Sequence, residues 1–140
     1  MKSIRILIVE DDKFARYAMA KVLQVYNYSA HACGLGEEAM IELRRENFDV
    51  LFTDFHMPGM NGLELLRKAK LIQPEIKAVL MTGQVSEEVK RQAEAAEVDG
   101  FFPKPIAWED LILFLDSLVM VGTRCARSAR SSLAEHPLVM

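Results

Sequence analysis

Four stretches of the chain carry side chains capable of chemistry: Glu10-Asp11-Asp12, Asp54 followed by Phe55-His56-Met57-Pro58-Gly59, Thr82-Gly83, and Lys104 between Pro103 and Pro105. Each has an ordinary reading when taken alone. The acidic triplet suits a solvated helix start, Asp54 a loop cap, Thr82 a strand-end turn and Lys104 a surface lysine. Each also follows a short apolar run, so all four can meet if those runs are neighbouring strands. Two carboxylates about 4 Å apart repel by roughly 4 kcal/mol at an effective dielectric of 20, so a three-acid cluster requires a cation or protonation. Lys104 offers one positive charge. A hard divalent ion with oxygen ligands, Mg²⁺ above others, offers the rest. Such a set suits phosphoryl transfer, in which positive charge neutralises the phosphoryl oxygens while a carboxylate attacks phosphorus in line.

The elements that must position these residues read as alternating strands and helices. Ile4 to Val9 is nearly all aliphatic, as a central strand covered on both faces requires; Asp49 to Thr53, with the apolar run Val50-Leu51-Phe52, is the third strand and Ile76 to Met81 a fourth, aliphatic one. Ser29 to Cys33 and Phe101-Phe102 read as shorter strands. Between them, Asp12 is placed to cap a helix reaching Tyr26, with Phe14, Ala18, Val22 and Val25 as its apolar face. Glu37 to Glu46 presents Ala39, Met40 and Leu43, with acids first and arginines last, the order that the helix dipole favours. Leu63 to Ile72 is stopped by Gln73-Pro74. Ser86 caps Glu87 to about Glu97, and Trp108 to Val121 forms the last helix after Ala107, a poor cap. Strands alternating with helices through short loops predict an α/β fold, a doubly wound five-stranded parallel sheet with five flanking helices. All strand ends then share one edge, where such sheets place their chemistry. Pro103 lacks an amide donor, which predicts that the fifth strand is an edge.

Composition narrows the function classes. The 140 residues carry 17 basic and 20 acidic side chains, a net charge of -3, which argues against a direct nucleic-acid surface. Cys33 and Cys125 form no C-x-x-C pair and read as reduced thiols. His31, His56 and His136 lack metal-ligand spacing. The start has too short an apolar stretch for a signal peptide, and no stretch approaches the ~20 apolar residues that span a bilayer, so a cytoplasmic location without membrane contact is expected. Residues 1–121 form one domain in this reading. Residues 122–140 form a tail, disordered or loosely helical, in which Arg124, Arg127 and Arg130 recur every third residue.

The order Glu10-Asp11, Asp54 with Met57-Pro58-Gly59, Thr82-Gly83 and Lys104-Pro105, each at a strand end, resembles the receiver domain of response regulators, the phosphoacceptor half of two-component signalling. The resemblance runs from Ile4 to about Val121 and implies the flavodoxin-like strand order 2-1-3-4-5. It implies that Asp54 accepts a phosphoryl group from a sensor histidine kinase, a phosphotransfer protein or a small phosphodonor. By the same matching Asp11, Asp54 and the main-chain carbonyl of His56 bind Mg²⁺, and Glu10 acts through bound water. Thr82 donates to the phosphoryl group, Lys104 pairs with it, and Phe101 is a rotamer switch without a hydroxyl. A cis peptide before Pro105 and a small residue at Gly83 belong to the same pattern. His56 and Gln84 occupy positions that tune dephosphorylation in the family. The implied protein is a signalling switch, with self-phosphorylation and self-dephosphorylation as its only reactions. It acts on a downstream protein target, alone or as a domain of a larger regulator or hybrid kinase.

Two other classes share parts of this chemistry. An aspartyl-phosphate phosphatase also uses an Asp nucleophile with Mg²⁺, but it resembles a D-x-D pattern, and Asp54-Phe55-His56 offers no second acid. A flavin module of similar topology needs a Gly/Ser/Thr-rich cradle after the first strand, where Glu10-Asp11-Asp12 would repel phosphate. The last helix adds one expectation. At 100° per residue Leu111, Phe114, Leu115 and Leu118 face the sheet, while Ile112, Leu113 and Met120 form an apolar surface for a homodimer, a target or the tail.

Overall fold

Five strands and five helices alternate along the chain: β1 (Arg5–Val9), α1 (Lys13–Val25), β2 (Ser29–Cys33), α2 (Gly36–Arg45), β3 (Val50–Asp54), α3 (Gly62–Ile72), β4 (Lys77–Thr82), α4 (Glu87–Ala95), β5 (Gly100–Pro103) and α5 (Trp108–Val121). The structure, a computed structural model, describes residues 4–121, with side chains through Leu118. All strand pairs are parallel, in the order β2-β1-β3-β4-β5. The doubly wound sheet therefore has the predicted order, and β5 with Pro103 is an edge. Among the described residues no helix is long and apolar enough to cross a membrane.

The period-2 alternation of the strands divides the core into two layers. Ile6, Ile8, Val50, Phe52, Val79, Met81 and Phe102 pack against Met19 and Leu23 of α1 and Leu111, Phe114 and Leu115 of α5. On the other face Leu7, Val9 and Leu51 meet α2 and α3, and Ala78, Leu80 and Phe101 meet α3 and α4. All five residues of β3 are buried, so Asp54 ends the most enclosed strand of the sheet. The side chains of Asp12 and Ser86 cap α1 and α4 as expected, accepting from the amides of Phe14 and Val89, and Asn61 caps α3 in the same way through the Glu64 amide.

Two helix faces differ from the sequence reading. In α1 the buried residues are Met19 and Leu23, while Phe14 is 80% and Val25 76% exposed. The helix carries two apolar stripes. The sheet takes the one whose Met and Leu reach the core, each worth about 1.5–3 kcal/mol when fully buried. In α5 the expected sheet-facing residues Leu111, Phe114 and Leu115 are buried, but so is Ile112. The helix lies in one cluster with α1 as well as the sheet, which widens its buried arc. Leu113, 68% exposed, is the one large apolar side chain of α5 left outside among the described residues. The side chain of Met120 and the expected tail from Gly122 to Met140 lie outside the described residues.

Candidate functional site

The parallel sheet brings the chemistry-bearing residues to one edge. Glu10 follows β1, Asp54 ends β3, Thr82 ends β4 and Lys104 follows β5. Lys104 Nζ donates to Glu10 Oε1 at 2.7 Å and to Asp54 Oδ2 at 2.6 Å, so one ammonium ties together residues 94 and 50 positions away. The peptide before Pro105 is cis, as the sequence pattern implied. The Lys104 amide donates to the Thr82 carbonyl at 2.7 Å, continuing the β4–β5 ladder one residue beyond Pro103. The turn after the acceptor uses Gly59 at φ 77°, a conformation that a side chain disfavours.

Glu10 and Asp54 are 1% and 5% exposed, yet each has defined partners. Asp54 Oδ1 accepts from the His56 amide at 3.2 Å, and Glu10 Oε2 accepts from the Asp12 amide at 3.0 Å. Burial raises the Glu10 carboxyl above its ordinary value, although the Lys104 ammonium and the Asp12 amide pull it back. Burial alone would lower Lys104, but its bonds to Asp54 and Glu10 outweigh that and hold the ammonium charged more firmly than usual. Beside the site, burial followed by Glu38 and Glu42 pushes the Cys33 thiol up to about 12, so it is no nucleophile at neutral pH.

Asp11 completes the set. Carboxylate oxygens of Glu10, Asp11 and Asp54 all lie within 4.8 Å of one another, with Asp11 exposed at the mouth. At that separation each pair repels by about 3.5 kcal/mol for an effective dielectric of 20. One lysine against three acids leaves an excess of negative charge. The donor set fits Mg²⁺: all are hard oxygens, and their spread is close to the ~4.2 Å between opposite ligands of an octahedral Mg²⁺. His56 joins the site through its amide, and its exposed ring leans on the buried ring of Phe55.

Thr82 and Phe101 are placed differently from Lys104. Thr82 is fully buried and lies one register step beyond Met81, the partner of Asp54. Its hydroxyl exchanges hydrogen bonds with Gln84, accepting from the amide at 3.0 Å, and makes no bond to Asp54. Phe101 is enclosed, 5% exposed among Leu80, Val89 and Ala93. No atom lies within 4 Å of where a Cβ on Gly83 would stand, so the chain's own packing does not demand a small residue there.

Sequence reasoning missed Arg16, whose Nη1 donates to the Glu10 carbonyl at 2.9 Å and fixes the strand end that carries the acids. Its position, one turn after the Asp12 cap, was the available signal. It also missed Thr53, whose hydroxyl donates to the Asp54 carbonyl at 3.1 Å.

The sequence pattern of the family described as "Response regulator receiver domain" matches residues 6–116. The chain is 31% identical over 118 residues to the response regulator receiver protein CpdR of Brucella abortus, covering 84% of this chain and 98% of that one. It is 27% identical over 128 residues to the sensory/regulatory protein RpfC of Xanthomonas campestris, where it spans 89% of this chain but only 18% of the relative. Among solved structures, a CheY-like response regulator receiver domain protein from Methanospirillum hungatei superposes with a TM-score of 0.78 at 28% identity, covering 83% of this chain and 93% of that one.

Proposed function

The chain belongs to the response regulator receiver family, and from that premise we propose that Asp54 accepts a phosphoryl group from a phosphohistidine and that the resulting charge switches a protein-interaction surface. The observation that carries this reading is the Lys104 ammonium bridging Glu10 and Asp54 across three strand ends. A structural ion pair needs one partner. Here one cation serves two buried carboxylates with a third at the mouth, an arrangement that calls for further positive charge, and a cation bound there would stand where it can neutralise the oxygens of a phosphoryl group on Asp54.

In this reading an Asp54 carboxylate oxygen attacks phosphorus, the new O–P bond forming as the N–P bond of the donor breaks. The His56 amide and Lys104 hold the two oxygens of Asp54, so the carboxylate enters the reaction with its orientation fixed. Lys104 stays within reach to pair with the transferred group. Asp11, Asp54 and the main-chain carbonyl of His56 would hold Mg²⁺, with Glu10 acting through bound water. Mg²⁺ bound there supplies charge neutralisation of the phosphoryl oxygens. The Thr82 hydroxyl, one step beyond the register partner of Asp54, exchanges Gln84 for a phosphoryl oxygen. Phe14, 80% exposed two residues after the Asp12 cap, with Tyr17 65% exposed one turn on, offers an apolar shoulder beside the site for a donor protein. The sensor kinase or phosphotransfer protein thus docks on α1, and a downstream protein reads the switched state. Dimerisation through Leu113 and Met120 of α5 stays a separate proposal, now without Ile112.

The test is incubation with Mg²⁺ and a small phosphodonor. A stoichiometric, acid-stable and base-labile adduct that is absent in Asp54→Asn supports the reading. Continued labelling of that variant at full stoichiometry sinks the assignment, and sustained release of phosphate would favour a phosphatase. The short share of RpfC that the chain spans favours a second reading of context, in which the same domain serves inside a larger sensory protein.

A further inference from the structure

We infer that Gly62, the first residue of α3, is a positioning residue for the acceptor, and that its role rests on the phosphoacceptor reading of Asp54. A Cβ built on Gly62 would stand 2.3 Å from the Asp54 carbonyl oxygen, 3.1 Å from its carbonyl carbon and 3.0 Å from the Phe55 Cα. The Asp54 oxygen is thus more than 1 Å inside ordinary contact distance, and it is backbone, which cannot rotate aside. Elsewhere the tight glycines face side chains that can give. A Cβ on Gly36 would meet Met60, and one on Gly100 would meet the Phe114 and Phe102 rings at 3.1 and 3.3 Å.

The approach at Gly62 is held from both directions. The Gly62 amide donates to the Phe55 carbonyl at 3.0 Å, which fastens the start of α3 to the residue after the acceptor. From β3 itself the Thr53 hydroxyl donates to the same Asp54 carbonyl oxygen at 3.1 Å. The Asp54 peptide therefore lies between a hydroxyl and a bare Cα. Beyond it the carboxylate is held by the His56 amide at 3.2 Å and by Lys104 at 2.6 Å, so a displaced backbone disturbs both bonds. Any side chain at position 62 has to move either the acceptor or α3. Helix α3 is anchored by Leu63, Leu65, Leu66 and Ala69, all buried, so the acceptor end of β3 carries a share of the shift. A misplacement of about 1 Å at a reacting group can cost on the order of a hundredfold in rate.

The experiment compares the full chain with Gly62→Ala, using Gly100→Ala as a control that crowds side chains far from Asp54. Proteins are labelled with a small phosphodonor at saturating Mg²⁺, under conditions where circular dichroism shows each to be folded, and Mg²⁺ is titrated separately by fluorescence in a Phe55→Trp background. Gly62→Ala should label at least tenfold more slowly than wild type and bind Mg²⁺ at least threefold more weakly, while Gly100→Ala stays within twofold on both. An osmolyte that restores the stability of Gly62→Ala should leave its rate low. A Gly62→Ala rate equal to wild type, or one that recovers with stability alone, overturns the inference. If Gly62→Ala does not fold, Thr53→Val decides: it should label at least threefold more slowly while Thr53→Ser stays near wild type, and equal rates for Thr53→Val and wild type overturn the inference. Failure of wild type itself to label overturns the phosphoacceptor reading instead, and the Mg²⁺ titration then tests the placement of Asp54 by itself.

Discussion

The sheet carries a buried lysine–carboxylate cluster at each end, and the two differ in one respect. At the amino edge Lys70 Nζ bonds Asp99 Oδ2 at 3.2 Å and the Ile76 carbonyl at 2.8 Å, while Asp99 Oδ2 also accepts from the Ala78 amide at 2.8 Å. At the carboxyl edge Lys104 bonds Glu10 and Asp54. Burial does not separate the clusters: the side chains of Lys70 and Asp99 are 30% and 4% exposed, those of Lys104, Glu10 and Asp54 27%, 2% and 8%. Charge balance does. At the amino edge the ion pair of Lys70 sets one cation against one carboxylate among the described residues, and it fastens the end of α3 to the starts of β4 and β5. One cation meets two, with Asp11 as a third, at the carboxyl edge. The first cluster is complete as a clamp, whereas the second gains stability from any added positive charge.

The largest expected contrast is in labelling. Asp54→Asn should abolish phosphodonor labelling, and Asp99→Asn should leave its stoichiometry unchanged, measured by intact mass. Loss of labelling in a folded Asp99→Asn protein would break the comparison. Stability should run the other way. In chelator, Asp99→Asn leaves Lys70 without its counter-charge and should cost about 2 kcal/mol in urea unfolding, below the full cost of a broken buried pair because Lys70 is part-exposed. Asp54→Asn removes one of the mutually repelling acids and should be neutral or stabilising by about 1 kcal/mol. Equal losses at both edges would mean that charge excess is not what sets them apart. Smaller than the Asp99→Asn loss is the response to metal: Mg²⁺ at ten times its dissociation constant should stabilise wild type by about 1.4 kcal/mol. Asp11→Ala should lose that gain and Asp99→Asn should keep it.

This contrast also marks what could be read from the sequence. The carboxyl-edge cluster was legible because Glu10, Asp54, Thr82 and Lys104 each end or directly follow a strand, and a parallel sheet must gather such ends at one edge. Lys70 and Asp99 gave no such signal. Lys70 lies in the last turn of a helix and Asp99 just before a strand, and nothing in local pattern says that those two ends meet. Helix faces failed where a helix had more than one partner. Periodicity identifies an apolar stripe, but in α1 it could not choose between the Phe14–Val25 stripe and the Met19–Leu23 stripe. In α5 it placed Ile112 outside because it allowed for the sheet and not for α1. Thr82 was placed correctly by its strand end, yet its bond to Gln84 depends on the loop that follows, which the strand pattern does not describe.

Thr82 supplies the smallest expected effect and the finest test of the charge argument. Thr82 carries no charge, so Thr82→Ala should keep the negative excess proposed to hold Mg²⁺ beside Asp54. Labelling should stay stoichiometric, with a rate reduced by no more than severalfold. The hydroxyl holds the Gln84 amide at 3.0 Å, two residues before the Ser86 cap of α4, and a switch to a phosphoryl oxygen would release that loop. Since Phe101 is already packed against Val89 and Ala93 of α4, motion there has to shift the helix and the ring together. Amide exchange should therefore change between residues 83 and 101 when wild type is phosphorylated and stay at its resting level in phosphorylated Thr82→Ala. The same exchange change in both proteins would show that phosphoryl charge alone moves α4, and that the Thr82 hydroxyl does not carry the signal from the acidic edge.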